Sequence, residues 1–280
     1  MTEGHAECFV AMGTRVELHA FGPCDPQALR LARHEVERVD DALTIHRPSP
    51  TVTLNEALSV ASGAAVDDPI LLAALIETRV LMRMTDGLFD ATVRQGAPRG
   101  AWDLDIARGR VEAEGPLAFD FGGMGKGLAL DAAAASLRAG GVQSGLLSAG
   151  ESSILAIGQH PLGGPWPIGV PHPFAPGTFL AELDLVDEAL SVSATVDAAA
   201  PCRQPTLRSD NGAPVTAPLT AVAVAAQGAR AEGLSTALLA ASPEERDRLA
   251  QRHSGRMLCF RYEGRDAITL AITGELACNV

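Results

Sequence analysis

Phe119-Asp120-Phe121-Gly122-Gly123-Met124-Gly125-Lys126-Gly127-Leu128-Ala129-Leu130-Asp131 is the stretch around which the rest of the chain organises itself. Four glycines precede an apolar helical run, and a lysine sits among them. Glycine lets a backbone come close to a ligand, and the helix that follows offers its first unpaired N–H groups to an anion. Taken alone, the segment is open to two readings: an anion cradle, or a tight turn that feeds a helix. The dinucleotide fingerprint G-x-G-x-x-G is absent, because Gly125-Lys126-Gly127 lacks the third glycine, and the P-loop spacing is absent too. Asp120-Phe121-Gly122 has no kinase catalytic loop or matching lysine strand to accompany it. The helix predicted over Gly127–Ala139 ends at Gly140-Gly141, a strong C-terminal signal.

Outward toward the C-terminus, Gly145–Ala149 and Ser153–Ile157 read as strands around a Gly150 turn, with Trp166–Val170 and Thr178–Val186 continuing the sheet. Periodicity fails from Ala194 to Pro218, where prolines recur, and a loop of that length is commonly functional. Leu219–Ala226 reads as a buried strand, Ala229–Ala241 and Glu244–Arg252 as helices, and Met257–Tyr262 with Ala267–Thr273 as a closing hairpin. Outward toward the N-terminus, Glu7–Phe21 reads as a strand broken at Met12-Gly13-Thr14. Pro26–Leu43 has helical apolar spacing, Ile45–Thr53 reads as an extended loop, and Asn55–Val60 opens a short helix or strand. Asp68–Thr85 is a second helix that stops at Asp86-Gly87, and Gln95–Gly115 reads as loop with one or two short strands. Strands and helices alternate irregularly, so the expected class is α+β and not a doubly wound sheet.

Composition narrows the function. The chain has 280 residues, 47% hydrophobic and 20% charged, as expected of a globular protein with a substantial core. Its formal net charge of −12 is spread along the chain without a basic cluster, which argues against nucleic-acid binding. An anionic ligand then needs local help from backbone N–H groups or a cation. Cys8, Cys24, Cys202, Cys259 and Cys278 form no C-x-x-C pair or zinc spacing, and free thiols in a reducing compartment are the simplest reading. No signal-peptide pattern and no membrane-spanning stretch is visible, so a cytoplasmic location is expected.

Two further constellations carry chemistry. Glu232 and Thr236 stand at i and i+4 on one helix face, a carboxylate beside a hydroxyl, which are hard oxygen ligands of the kind Mg²⁺ prefers. The alternative is an exposed glutamate and an inward threonine. Thr85-Asp86-Gly87-Leu88-Phe89-Asp90-Ala91-Thr92 joins a turn to an aromatic that either covers a flat ligand ring or fills the core. The seven histidines form no zinc-hydrolase pattern. Ser148 and Ser193, read in turn settings, have no G-x-S-x-G elbow.

In this order and spacing the motifs resemble the ApbE family of FAD:protein FMN transferases. Met12-Gly13-Thr14 looks like its M-G-T, and Ser49–Asn55 resembles its S-x-x-S-x-L-N with Val52 in place of the second serine. Thr85–Thr92 matches T-x-G-x-F-D-x-T, and Asp120–Asp131 matches D-x-G-G-x-x-K-G-x-x-x-D. Gly145–Gly150 followed by Trp166–Val170, and Ala231–Leu238, resemble the later elements. The resemblance covers nearly the whole chain and implies one large domain over residues 1–280, of two lobes with mixed or antiparallel sheets flanked by helices and a ligand cleft between them.

It also implies Mg²⁺-dependent transfer of FMN from FAD to a threonine or serine hydroxyl of an acceptor protein, with release of AMP. By position, Glu232, Thr236 and the carbonyl of Gly125 would hold the metal, and Met12, Leu88, Phe89, Asp90, Gly122, Lys126 and Leu128 would bind FAD. Lys126, Glu232 and Thr236 would carry the catalysis. A homologue that binds FAD without transfer, and an FAD pyrophosphatase, are the alternatives. Besides Val52, the chain departs from the pattern at four places: Glu232 stands for the usual Asp, Ile45 for an aromatic, Glu151 for a glycine, and Pro205–Gly212 reads PTLRSDNG in place of H-I-I-D-P-x-T-G.

Overall fold

A computed structural model describes residues 4–196, 205–253 and 255–273. Two strands, β1 (Gly4–Ala11) and β2 (Thr14–Phe21), open the chain as an antiparallel hairpin. Its two turn residues, Met12 and Gly13, both have positive φ, at 53° and 68°. That is the backbone a two-residue hairpin needs to match strand twist, so the predicted break is a tight turn. Helix α1 (Pro26–Leu43) follows, capped by the Asp25 carboxylate on the Gln27 N–H. Helix α2 (Pro50–Val60) begins inside the stretch read as an extended loop: Ser49 caps Val52 N–H and Pro50 takes the first helical position, where its missing N–H costs nothing. Strand β3 (Gly63–Ala65) and helix α3 (Pro69–Met84), capped by Asp68, come next.

Strands β4 (Trp102–Asp105) and β5 (Arg110–Ala113) join β3 in a three-stranded sheet, and helix α4 (Gly125–Ala139) starts within the glycine-rich segment, two residues before its predicted start. The second half holds β6 (Ser144–Ala149), β7 (Ser153–Ile157), β8 (Trp166–Pro171), β9 (Phe179–Leu185), β10 (Ala189–Ala194) and β11 (Leu219–Ala225). Helices α5 (Gly228–Ala240) and α6 (Pro243–Arg252) and the hairpin β12 (Met257–Glu263) with β13 (Asp266–Thr273) complete it. Helix α6 carries a full capping box between Ser242 and Glu245.

The main sheet has eight strands in the order β1-β2-β6-β7-β10-β11-β12-β13, and every registered pair is antiparallel. The class is α+β, as expected, with antiparallel rather than mixed sheets. Both faces of the sheet are covered. Val16, Leu18, Leu147, Ala221 and Ala223 face a core shared with the helices, whereas Ala156, Val222, Val224, Leu258 and Phe260 face a second cluster built on Trp166, Ile168, Val170, Leu183 and Leu185. The β8–β9 hairpin therefore does not continue the sheet. It forms a sheet of its own that lies across the face away from the helices.

Strand β10 was not expected, and it corrects the turn setting read for Ser193; Ser148 likewise lies within β6. Of the irregular Ala194–Pro218 stretch, residues 197–204 lie outside the described residues, as do Cys202 and Cys278. Cys8, Cys24 and Cys259 are free thiols, and among the described residues no helix is long and apolar enough to cross a membrane.

Candidate active site

The glycine-rich segment is fixed from both sides. Asn55 of α2 brackets Phe119, its side-chain NH₂ donating to the Phe119 carbonyl at 2.9 Å and its carbonyl accepting the Phe119 N–H at 2.7 Å. Asp120 N–H donates to the Ala91 carbonyl at 2.7 Å, which ties the segment to the loop after α3. That loop is braced residue by residue. The Thr85 hydroxyl accepts the Phe89 N–H, and one Asp90 oxygen accepts both the N–H and the hydroxyl of Thr92. Asp86 and Gly87 both adopt positive φ to turn the chain between them. The motif Thr85–Thr92 is thus a rigid wall built from its own hydrogen bonds.

Helices α4 and α5 meet at their N-termini with almost no space between them. A Cβ at Gly127 would lie 2.2 Å from the backbone of Gly228, so only glycine permits the approach. Neither helix has a side-chain cap of its own. Each is capped by the other. Asp131 of α4 accepts the N–H groups of Gly228 at 2.6 Å and Ala229 at 3.0 Å. Glu232 of α5, 3% exposed, accepts the Gly127 N–H at 2.7 Å through Oε2. Its Oε1 accepts the Lys126 ammonium at 2.5 Å and the Ser153 hydroxyl at 2.5 Å. Burial pushes the Asp131 carboxyl up to about 6, against the opposing pull of its two backbone donors.

Beside this clasp opens a cavity of about 470 Å³, within the range of small-molecule sites. Segments far apart in sequence line it: the β1–β2 turn with Met12, the loop Leu88–Ala91, Asp120, Gly122 and Gly123 with Lys126, strand β10 with Ser191 and Ser193, Pro205–Leu207, and α5 with Glu232 and Thr236. Eight of the residues singled out from the sequence converge there: Met12, Leu88, Phe89, Asp90, Gly122, Lys126, Glu232 and Thr236. Leu128 and Gly125 are not among the lining residues. Leu128 packs against the core, and Gly125 is buried at the first position of α4, behind Met12. The carbonyl beside the Thr236 hydroxyl is that of Gly123, at 3.5 Å.

Phe89 contributes wall rather than an open platform, since it is 3% exposed with its ring edge against Gly123. Asp90 is 9% exposed, and its second carboxylate oxygen is buried without a partner; burial raises its pKa, Thr92 opposing. Ile45 is on the surface and does not line the cavity. Glu151, exposed, takes a left-handed φ of 61° in the β6–β7 turn, a conformation that suits the glycine of the family pattern better.

A group of hydroxyls that the sequence reading did not bring together meets at this wall. Ser193 and Ser235 are 2.8 Å apart, and Ser235 donates to Ser191 at 3.0 Å. Alternate serines in Ser191-Val192-Ser193 were a signal, hidden because the strand carrying them was not recognised.

Glu232, Thr236 and the Gly123 carbonyl together offer hard oxygens of the type Mg²⁺ takes, and Mg²⁺ keeps waters for its remaining positions. Glu232 has one acceptor direction free, on Oε2, and of its three donors only Lys126 lines the cavity. The chemistry of this donor set suits the ion, with the Lys126 ammonium on Glu232 Oε1 in the protein as it stands. Among the described residues no cluster of three or more histidine, cysteine or carboxylate side chains competes as a metal centre.

Comparison with known proteins bears on this cleft. The model of the ApbE family matches residues 98–260. A curated FAD:protein FMN transferase of Rhodobacter capsulatus is 27% identical over 219 residues, a match that covers 67% of this chain and 41% of that protein. The chain thus spans about two fifths of that relative's length. The apo crystal structure of Pseudomonas stutzeri flavinyl transferase ApbE is similar over 97% of this chain and 95% of its own, with a TM-score of 0.80 and 25% identity. Flavin transferase ApbE from Vibrio cholerae shares the fold, with 98% of both chains covered, a TM-score of 0.79 and 19% identity. With its glycine-rich segment, its braced Thr85–Thr92 wall and more than half its length matched by the family model, the chain belongs to the ApbE family.

Proposed function

We propose that this protein transfers the FMN moiety of FAD to a serine or threonine hydroxyl of an acceptor protein. The observation that carries the reading is that eight residues matched to the family pattern, from segments far apart in sequence, line one cavity large enough for a nucleotide. In the reaction the acceptor oxygen bonds to the FMN phosphorus, the pyrophosphate P–O bond breaks with its electron pair on the AMP phosphate, and the hydroxyl proton passes to solvent.

Met12, Leu88 and the Phe89 edge supply an apolar wall for ring systems, while Gly122 and Gly123 let phosphates approach the backbone. Lys126 supplies positive charge beside those phosphates, in a protein whose net charge of −12 otherwise repels them. Glu232, Thr236 and Gly123 would hold Mg²⁺, which when bound neutralises phosphate charge and stabilises phosphoryl transfer. Asp90 lines the same cavity and holds the Leu88–Thr92 loop in shape through its hydrogen bonds to Thr92. Free thiols at Cys8, Cys24 and Cys259 suit an acceptor in a reducing compartment, the cytoplasm.

A second reading, a homologue that binds FAD without transfer, is favoured by one observation. Pro205, Thr206 and Leu207 line the cavity without an acid–base side chain where the family pattern carries histidine. Incubation with FAD, Mg²⁺ and a threonine-containing acceptor peptide separates the outcomes. Flavin fluorescence that stays with the denatured peptide supports transfer, free FMN points to hydrolysis, and tight binding without turnover supports the second reading. Failure to bind FAD with or without metal overturns the flavin reading altogether.

A further inference from the structure

We infer that Lys126 is the resident counter-cation of Glu232, and that a divalent metal and the Lys126 ammonium exclude each other at this carboxylate. The inference rests on the flavin-site reading only for the identity of the metal; the competition itself is a property of the protein without ligand.

Glu232 is a buried carboxylate with three donors. Two of them, the Gly127 N–H and the Ser153 hydroxyl, come from behind the wall and are neutral. The third, Lys126, is the one that faces the cavity and the one that carries charge. It bonds to Oε1 at 2.5 Å, so a metal entering from the cavity meets an ammonium already on the carboxylate. The two cannot share it without strong repulsion, because the Glu232 side chain is only 4% exposed and water screens the site poorly.

The lysine also answers a structural need. Glu232 caps α4, and an unpaired charge at that depth would strain the clasp between α4 and α5. A cation must therefore be present in both states: the ammonium without metal, the metal afterwards. Lys126 has room to leave, being 24% exposed, on a flexible stem and already at the cavity wall. Its departure places positive charge among the groups that would receive phosphates, so metal entry and lysine delivery become one event. The longer reach of glutamate, where the family pattern has aspartate, lets one side chain span the Gly127 N–H, Ser153 and Lys126 together.

The test is a Mn²⁺ titration of the flavin-free protein, followed by the electron paramagnetic resonance of free Mn²⁺ and by thermal unfolding. Wild type is expected to bind weakly, and Lys126→Met on the order of tenfold more tightly. Lys126→Arg, which keeps the charge, should stay weak, and Glu232→Gln should abolish binding. Lys126→Met should also unfold at lower temperature than wild type without metal and recover when Mn²⁺ is added. If Lys126→Met folds poorly, Lys126→Gln retains a donor to Glu232 without charge and should show the same tightening. Equal Mn²⁺ affinity in wild type and in the neutral variants, or no binding to those variants, overturns the inference. A wild type that binds FAD while the variants show no tightening overturns the exclusion alone. Tightening in a protein that never binds FAD overturns the flavin reading and leaves the exclusion standing.

Discussion

Four helices of this protein begin in one way and two begin in another. Helices α1, α2, α3 and α6 start with Asp25-Pro26, Ser49-Pro50, Asp68-Pro69 and Ser242-Pro243, each capped by the side chain just before the proline. Helices α4 and α5 start with Met124-Gly125 and Gln227-Gly228 and have no cap of their own. Their caps cross over, Glu232 to α4 and Asp131 to α5. The self-capped helices frame the fold, whereas the cross-capped pair forms the wall of the cavity. Glycine in the first helical turn opens each helix start to a close neighbour, and the neighbour's carboxylate takes the place of a side-chain cap. The two crossed caps also differ. Glu232 lines the cavity and shares its charge with Lys126, while Asp131 is not among the lining residues and, among the described residues, has no cation on it.

The comparison breaks most visibly at Glu232. Glu232→Ala leaves the Gly127 N–H and Ser153 without their acceptor and Lys126 without its partner, at an expected cost of about 4 kcal/mol in urea unfolding. A loss below about 1 kcal/mol would show that the clasp does not depend on this carboxylate.

Asp131 sharpens the contrast through pH. Its carboxyl is raised from 3.8 to about 6, mainly by burial, so the folded state holds the proton more tightly than the unfolded chain does. The stability this supplies is complete below about pH 4 and is lost as pH rises through about 6, an effect on the order of 3 kcal/mol across the window. Urea midpoints measured between pH 4 and pH 8 should carry this slope in wild type and lose it in Asp131→Asn. An unchanged slope in the variant would assign the pH dependence to other groups.

The smallest effect belongs to a self-capped helix. Asp68→Ala removes one cap, on Leu71 N–H, and should cost about 1 kcal/mol while FAD and Mn²⁺ affinities stay as they were. A change in either affinity would mean that the frame and the cavity wall are coupled.

Much of the frame was legible because its signals are local. The bounds of α1 were read without error, since Pro26 and an apolar stripe lie within one another's reach, and Gly140 stops α4 as expected. The Gly13 and Asp86-Gly87 turn positions follow from which residues tolerate positive φ, whereas Met12 adopts it against its own preference. Helix α2 was half missed because proline at its start was read as a breaker, although Ser49 before it makes that proline a first helical residue. Strand β10 was missed for a different reason. Its serines replace an apolar alternation, and they face hydroxyls of α5 that no local window contains.

By itself, then, the sequence determined the α+β class and most elements, because periodicity, capping and turn chemistry act within a few positions; the residues proposed to face a ligand came from the resemblance to the family pattern. The tertiary structure decided what those residues are to one another. Lys126 and Glu232 stand 106 positions apart, and Asp131 and Gly228 stand 97 apart. The close contact of Gly127 with Gly228 brings the two helix starts together, so that Glu232 became a clasp that lines the cavity and Asp131 a clasp away from it.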